Sequence, residues 1–276
     1  MRATLGRAAS RAARPNFQFF LKLQAAWVVY RAKVEMTTLG EKQAVWETAG
    51  EEKRAAVQGM FAEIAPVYDR LNSVMTMRRH LTWRSLAVKQ LSLKPGDTVL
   101  DVCCGTGDFM VPLGAAVGPG GRVVGVDFCR PMLVIAKRKL GEAVLMVGDA
   151  GCLPFAPGVF DGATVGWGLR NVPDLDRALA EIARCLRPGA KLVCLDTQTP
   201  RNAAVRWVSR LLSHGLLPKM GAVLGAREAY TYLPKSTERF VSREELAHAL
   251  SRAGFVEVGY RDLMLGNVCM HWGTRR

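Results

Sequence analysis

Short apolar runs alternate with amphipathic stretches through most of the chain. Runs rich in β-branched residues predict five strands, at residues 98–103, 122–127, 143–148, 160–166 and 190–196. Between them, apolar residues recur at helical spacing, from about residue 108, at 131–140 and at 174–186. A helix at 243–253 and two closing strands follow. This alternation predicts an α/β protein with a doubly wound, mostly parallel sheet of seven strands.

Acidic residues stand at or near the ends of the first three predicted strands. Asp101 precedes the turn Gly105-Thr106-Gly107, Asp127 ends the second strand, and Asp149 with Ala150 follows the third. Glycines let the main chain turn tightly and approach a ligand at the carboxyl end of a buried strand. Asp127 also follows Gly107 by about 20 residues, the separation at which an acid commonly binds a ribose diol.

The turn does not fit a nicotinamide dinucleotide, which requires Gly-x-Gly-x-x-Gly, because Met110 stands in place of the third glycine. Asp101 and Asp108 would also repel a diphosphate. The pattern favours a cationic ligand that contains adenosine, and it resembles the class I methyltransferases, which bind S-adenosylmethionine. Cys103 replaces the first glycine of their acid-x-Gly-x-Gly-x-Gly, so we expect an ordinary backbone angle there. A plain strand-to-helix turn is the alternative.

The formal net charge is +14, and its densest positive part is the N-terminus. Residues 1–35 contain seven Lys and Arg, and Glu35 is their only acid. This composition predicts a basic N-terminal extension that is a targeting segment, a tail, or sequence upstream of a true start at Met36. The body of the chain shows no platform of aromatic and basic residues on which bases could stack. A nucleic-acid partner is therefore not expected.

Seven cysteines, an odd number without a Cys-x-x-Cys pair, favour a reducing compartment over a disulfide scaffold. The four histidines share no ligand spacing with one another or with acids, so no metal is expected. No apolar run is long enough to span a bilayer. We expect a cytoplasmic protein, or an organellar one if residues 1–35 are a transit peptide.

From about residue 53 to residue 276 the chain resembles the menaquinone and ubiquinone C-methyltransferases (the UbiE/MenG family). The matching motifs include Met60-Phe61, Pro66-Val67-Tyr68-Asp69, Trp83-Arg84, Leu100-Asp101-Val102, Gly125-Val126-Asp127-Phe128, Leu153-Pro154-Phe155, Leu186-Arg187-Pro188-Gly189 and Tyr230-Thr231-Tyr232-Leu233-Pro234. The run Gly168-Leu169-Arg170-Asn171-Val172 is the most diagnostic, because methyltransferases in general do not carry it. The resemblance implies the Rossmann-like fold of class I S-adenosylmethionine-dependent methyltransferases and C-methylation of a polyprenylated quinol.

The resemblance also implies the residues that bind the cofactor. Contacts to S-adenosylmethionine are expected from Thr106, Asp127, Asp149 and Ala150, and from the backbone of Gly166, which has no side-chain hydroxyl. The strand and turn described above add Asp101, Gly105 and Gly107 to this set.

Arg170 and Asn171 follow the fourth predicted strand, at the edge of the sheet where the sulfonium is expected. An arginine is always protonated, so we expect Arg170 to stabilise a developing phenolate or to orient a water that takes the proton. Tyr68 is expected to close over the cofactor. The structural alternatives are a helix-capping Asn171, a surface Arg170 paired with Asp174, and a Tyr68 that only packs. His271 is expected to be a core residue rather than a base.

Demethylmenaquinol is the leading acceptor. The alternatives are the benzoquinol step of ubiquinone synthesis, another small metabolite, and nucleic acid. A polyprenyl tail does not leave a bilayer freely, so we expect a peripheral position on the inner membrane. The oligomeric state stays open, with a homodimer as one option.

The sequence predicts a helical N-terminal lid at residues 36–92 and a methyltransferase domain at 93–276, with a lid insertion at about 200–235. Within the insertion, residues 201–220 form a basic amphipathic segment. We expect it to be a helix that lies over the carboxyl edge of the sheet and touches the membrane surface. The alternative is that its apolar face simply packs on the domain.

Overall fold

The structure is a computed structural model, which describes residues 50–216 and 227–276 together with Val45, Thr48 and Pro218. Residues Val45–Arg276 form one compact unit. The extension predicted at residues 1–35 lies outside the described residues. Among the helices that the structure describes, none is long and apolar enough to cross a bilayer.

In the described part of the chain, three α-helices precede the sheet. Helix α1 spans Gly50–Ile64, α2 spans Tyr68–Met75 and α3 spans Arg79–Leu91. Pro66 lies in the 3-10 turn after α1, where its missing N–H and fixed φ end the helix. Helix α3 buries its apolar side against the sheet, with Trp83, Ala87, Val88 and Leu91 in the core.

Across the described residues, seven strands form one sheet in the order β3-β2-β1-β4-β5-β7-β6. The first five are parallel, and β7 runs antiparallel between β5 and β6. This confirms the predicted doubly wound, mostly parallel sheet. The strands are β1 Thr98–Val102, β2 Arg122–Asp127, β3 Val144–Val147, β4 Phe160–Gly166, β5 Leu186–Thr197, β6 Phe255–Leu263 and β7 Val268–Arg275.

The helices after β1 are α4 Met110–Val117, α5 Arg130–Leu140, α6 Leu175–Cys185, α7 Ala203–Arg210, α8 Arg227–Arg239 and α9 Arg243–Arg252. Of these, α4, α5, α6 and α9 pack with α3 on the two faces of the sheet, whereas α7 and α8 lie in the segment between β5 and α9. Leu192 and Cys194 of β5 face a core shared with α6 and α9, whereas Val193 and Leu195 face a second core shared with α3 and α4. Strand β5 is therefore apolar at successive positions rather than at alternate ones.

Strand β5 begins earlier than the sequence predicts. Leu186 already pairs with Phe160, but the next pair joins Gly162 to Lys191, so the ladder shifts register between them. Arg187, Pro188 and Gly189 form an irregularity within the strand at this point. Gly189 has a φ of 82°, a backbone conformation that residues with a side chain rarely adopt.

The segment predicted as one amphipathic helix at residues 201–220 differs from that expectation. Helix α7 ends at Arg210, and a π-helix follows over Leu211–Leu216, where Ser213 and Gly215 are weak helix formers. No residue of α7 is buried. Four large apolar side chains of α7 and the π-helix are exposed: Trp207 by 67%, Leu211 by 60%, Leu212 by 50% and Val208 by 46%. Val205 is half-buried. Most of the described apolar face is therefore open to solvent rather than packed on the domain.

Candidate functional site

A cleft opens at the carboxyl edge of the sheet, where β1 to β4 end. It contains about 700 Å³ of empty space, part of which is open to solvent. The loops after the strands form one wall, which includes Gly105, Asp127, Asp149, Ala150 and Gly166. Arg54 and Phe61 of α1 and Tyr68 of α2 form the other wall.

The loop after β1 is pinned to β2 and adopts left-handed backbone angles. The Cys104 N–H donates to Val126 O at 3.0 Å, and the Gly105 N–H donates to the Asp127 carboxylate at 2.8 Å. Gly105 and Gly107 have φ values of 54° and 81°. Cys103 has a φ of 55°, so the ordinary angle expected there is wrong. The bonds that pin the loop hold Cys103 in the conformation that glycine favours, at a cost of about 1–2 kcal/mol.

Asp127 is the buried anchor of this wall. Its carboxylate accepts the N–H groups of Gly105 and Cys129, each at 2.8 Å. Burial raises its pKa to about 6, although these two hydrogen bonds favour the charged form. A carboxylate has further lone pairs beyond these two bonds, and Asp127 lines the cleft, so it can still accept from a ligand hydroxyl.

Asp101 lies beneath the glycine turn. Thr164 donates its hydroxyl to Asp101 Oδ1 at 2.7 Å, but the buried Oδ2 has no hydrogen-bond partner among the described residues. Burial raises the pKa of Asp101 to about 7. Asp101 lines a smaller cavity of about 290 Å³, and this cavity shares Tyr68, Cys103, Gly105 and Gly166 with the main cleft.

Gly166 and Asp149 shape opposite parts of the cleft. A Cβ at Gly166 would lie 2.8 Å from the Phe109 ring, so the site depends on the absence of a side chain there. Asp149 accepts the Gly151 N–H at 2.7 Å, and its other oxygen forms an ion pair with Arg54 Nε at 3.2 Å. This ion pair draws α1 over the end of β3.

Thr106 is buried and lines the smaller cavity rather than the main cleft. Its hydroxyl donates to the Asp69 carboxylate at the start of α2. Lys139 of α5 binds Asp69 at 2.8 Å and Asp108 at 2.6 Å. The glycine turn is therefore tied to the helical segment that precedes the sheet.

The three predicted catalytic residues are placed differently. Tyr68 and Asn171 line the main cleft, whereas Arg170 does not. Arg170 is buried, and its Nη1 donates to Asp196 Oδ1 at 2.6 Å and to Trp167 O at 3.0 Å. Burial opposes the charge of Arg170, but Asp196 outweighs it and raises the Arg170 pKa. The alternative of a surface arginine paired with Asp174 is wrong.

Asn171 is held by two side-chain hydrogen bonds. Its Nδ2 donates to Trp167 O at 2.9 Å, and its Oδ1 accepts the Tyr232 hydroxyl at 2.8 Å. It does not cap a helix, because Asp174 occupies that position at the start of α6. These bonds fix the amide of Asn171 while leaving one N–H and one lone pair uncommitted.

Asp196 and Tyr232 are residues that the sequence reasoning missed. Asp196 is a further acid near the end of a parallel strand, so the strand-end rule applied to Asp101 and Asp127 would have found it. Tyr232 carries no such signal, because α8 meets Asn171 only through tertiary packing. His271 is buried in β7, where its Nε2 contacts Arg243 O at 2.9 Å, and it lies outside the cleft wall.

Comparisons with known proteins show which family the chain belongs to. A profile of the ubiE/COQ5 methyltransferase family matches residues 47–275. The chain belongs to this family. A demethylmenaquinone methyltransferase of Geobacillus sp. (strain WCH70) is 38% identical to it over 230 residues, which are 81% of this chain and 98% of the relative. A protein of the same name from Staphylococcus saprophyticus is 39% identical over 227 residues, 81% of this chain and 97% of the relative.

Solved structures support the fold. A possible histamine N-methyltransferase from Thermotoga maritima, described as SAM-dependent, aligns with a TM-score of 0.57 at 22% identity, covering 79% of this chain and 100% of that one. Geranyl diphosphate C-methyltransferase from Streptomyces coelicolor aligns with a TM-score of 0.52 at 17% identity, covering 72% and 80%. The chain is an S-adenosylmethionine-dependent methyltransferase with the class I fold.

The residues present fit this cofactor. An unpartnered carboxylate oxygen of Asp101 suits a cationic amino group, and Asp127 can accept from ribose hydroxyls. Gly166 lines both cavities, and its missing side chain lets the Phe109 ring pack behind it without narrowing them. Among the described residues, no group of three or more His, Cys, Asp and Glu side chains could hold a metal ion.

Asp101 makes the stability of the ligand-free methyltransferase depend on pH. Because burial raises its folded-state pKa from 3.8 to about 7, the stability it contributes is full below about pH 4. As the pH rises from about 4 to about 7, the free energy of unfolding falls by about 4 kcal/mol in total, because the unfolded chain releases this proton first. We expect Asp101→Asn, which stays neutral, to lose much less unfolding free energy than the unaltered protein between these limits. Urea denaturation at several pH values measures this.

The matched control is Asp176→Asn, which changes an exposed carboxylate and should leave the pH profile of the unaltered protein intact. If Asp101→Asn also leaves that profile intact, the carboxyl of Asp101 does not titrate in this range.

The buried pair of Arg170 and Asp196 supports a second prediction. Asp196→Ala leaves a buried guanidinium without its carboxylate, which should cost about 3–5 kcal/mol of unfolding free energy. Adding Arg170→Met removes that charge, so the double variant should recover a large part of the loss. Chemical denaturation of the two single variants and the double variant gives the coupling energy.

Asp176→Ala is the control, since it breaks the exposed pair with Arg252 and should cost at most about 1 kcal/mol. Additive losses in the variants of Arg170 and Asp196 would contradict a buried ion pair.

Proposed function

We propose that this methyltransferase transfers the methyl group of S-adenosylmethionine to a ring carbon of a polyprenylated quinol. The acceptor is demethylmenaquinol and the product is menaquinol. One observation carries this choice: proteins named demethylmenaquinone methyltransferase are 38–39% identical to the chain and align over 92–98% of their own lengths. Such coverage includes the cleft and both of its walls.

S-adenosylmethionine supplies a methyl group on positively charged sulfur, and the C–S electron pair stays with sulfur as the new C–C bond forms. The quinol hydroxyl loses its proton, which makes the neighbouring ring carbon nucleophilic. After methylation the ring C–H proton leaves and the hydroxyl is protonated again. The net change is one methyl gained by the ring and one proton released to solvent.

Asn171 and Tyr68 are the proposed contacts to the acceptor, because both line the cleft. The uncommitted N–H of Asn171 would donate to the quinol oxygen as negative charge develops there. Tyr68 packs edge-on against Phe61, with 6.1 Å between the ring centroids, and closes the wall opposite the strand ends. These contacts would orient the ring and exclude water.

Arg170 would act from behind Asn171. Its guanidinium is held by Asp196 and by Trp167 O, the same carbonyl that accepts from Asn171. We therefore propose that Arg170 positions the loop that carries Asn171 and contributes positive potential, without abstracting a proton. Of the remaining predicted contacts to the cofactor, Asp149 and Ala150 line the main cleft, whereas Thr106 lines the smaller cavity.

The acceptor also implies a peripheral position on a membrane. Trp207, Val208, Leu211 and Leu212 are exposed next to Arg210 in the segment that follows β5. An amphipathic tryptophan beside apolar and basic side chains suits the interface of a bilayer with anionic lipids. We propose that α7 and the π-helix contact the membrane there and lead the quinol ring to the cleft. A homodimer stays a prediction that sedimentation of the purified protein tests.

The acceptor is tested with the purified protein, S-adenosylmethionine and two short-tailed quinols. We expect methylation of the demethylnaphthoquinol, and Asn171→Ala should lower kcat at least about tenfold while the dissociation constant of S-adenosylmethionine stays within about twofold. Turnover of the benzoquinol alone would replace the proposed acceptor with that of ubiquinone synthesis. A loss confined to cofactor affinity would contradict the acceptor-side role of Asn171.

The membrane contact is tested by flotation with anionic vesicles. Trp207→Ser combined with Leu211→Ser removes apolar area from the proposed contact, so vesicle binding and turnover of a long-tailed quinol should fall several-fold. Short-tailed turnover should stay near that of the unaltered protein. Val144→Ser changes an exposed valine at the opposite edge of the sheet and should alter neither. Unchanged flotation of the double variant would rule this contact out.

A further inference from the structure

Arg84 is a buried arginine on the wall of the smaller cavity. Its guanidinium carbon lies 4.7 Å from the centre of the Trp167 ring and 5.6 Å from that of Phe109. Both rings lie within cation–π distance of the guanidinium and restrict its movement. The side chain therefore presents its N–H groups in one defined direction.

One edge of this guanidinium is engaged by the protein and the other is not. Nη1 contacts His80 Nδ1 at 2.6 Å and donates to His80 O at 3.2 Å. Nε is buried and has no hydrogen-bond partner among the described residues. Nη2 lies 3.6 Å from Asp108 Oδ2, too far for a hydrogen bond. The Nε–Nη2 edge is the fork with which arginine binds a carboxylate through two parallel bonds.

Asp108 does not complete that fork. Lys139 holds the other oxygen of Asp108 at 2.6 Å, whereas Asp108 Oδ2 makes no hydrogen bond within the described part of the chain. Its contact with Arg84 is Coulombic rather than bidentate. The Nε–Nη2 edge of Arg84 is therefore free to bind a carboxylate, while Asp108 beside it balances the charge of the guanidinium.

A second unsatisfied group lies on the same cavity. Asp101 Oδ2 is buried and unpartnered within the described residues, and both Asp101 and Arg84 line the space beneath the glycine turn. A cation-binding carboxylate and an anion-binding fork on one small cavity match the two charges of an α-amino acid. S-adenosylmethionine carries such a group at the end opposite its adenine.

We propose that Arg84 binds the carboxylate of S-adenosylmethionine through Nε and Nη2, while Asp101 binds its ammonium. This inference rests on the proposed function and adds a binding residue from α3, outside the strand-end loops. It also gives α3 a direct part in cofactor affinity. Tyr68 and Gly166 line both the smaller cavity and the main cleft. This end of the cofactor would therefore lie next to the main cleft.

The test compares two ligands that differ only in the carboxylate. Calorimetry measures the affinity of S-adenosylmethionine and of decarboxylated S-adenosylmethionine, which keeps the sulfonium and the ammonium. Arg84→Lys keeps the charge but loses the fork, so it should weaken S-adenosylmethionine at least about tenfold. It should leave the decarboxylated ligand within about twofold. Arg84→Met, which also removes the charge, should show the same selectivity to a larger degree.

Arg79→Lys is the matched control, since Arg79 is an exposed arginine on the same helix, and both affinities should stay unchanged. Binding of the decarboxylated ligand by the Arg84 variants shows in the same experiment that the cleft is folded. Equal losses for both ligands would make Arg84 a purely structural residue, and no loss for either would remove it from the site. Both results overturn the proposal. If the unaltered protein binds neither ligand, the proposed function fails together with it.

Discussion

The carboxylate of Asp127 accepts the backbone N–H groups of Gly105 and Cys129 at 2.8 Å, and the rest of the site depends on that pair of bonds. They join the loop after β1 to the loop after β2 across the edge of the sheet. The loop after β1 can reach Asp127 only with left-handed angles, including the one at Cys103. The strain of that conformation is compensated by a buried carboxylate whose lone pairs would otherwise lack donors. The pairing of β1 with β2 thus determines the position of the cleft wall that the strand-end loops form.

Burial and charge divide the acids of the site into two roles. Burial raises the pKa of Asp101 to about 7, because the hydrogen bond from Thr164 and the charge of Arg84, which both lower that pKa, do not compensate for the loss of water. Burial also acts on Asp108, but Arg84 and Lys139 outweigh it and lower the pKa of that carboxyl. Asp108 is therefore charged and engaged by the protein, whereas Asp101 gains most from an added cation. A cationic ligand suits this site because it can pair with the Asp101 oxygen for which the described residues provide no hydrogen-bond donor.

Periodicity and strand-end chemistry predict most of this architecture, because parallel strands buried on both faces leave strong local signals. The bounds of the first four strands agree with the structure to within one residue, and Asp127, Asp149, Ala150 and Gly166 line the cleft as expected. The angle at Cys103 was missed, since residue type suggests its backbone conformation only until tertiary hydrogen bonds override it. Arg170 shows the same limit: the sequence places it at the right edge, but only the fold reveals Asp196 behind it. Contacts between distant elements, such as Tyr232 with Asn171, leave no local pattern.

Helix α1 bridges the cleft through polar contacts with three different strand-end loops. Lys53 Nζ donates to Val172 O at 3.0 Å, Gln58 Nε2 donates to Phe128 O at 2.6 Å, and Arg54 pairs with Asp149 at 3.2 Å. Burial lowers the pKa of Lys53, so its ammonium is held in a place that disfavours charge. Each contact is worth about 1–3 kcal/mol at most when it can exchange with water. Together these contacts are weak compared with the packing that holds the sheet, so α1 is bound to the cleft less strongly than the strand-end loops are bound to one another.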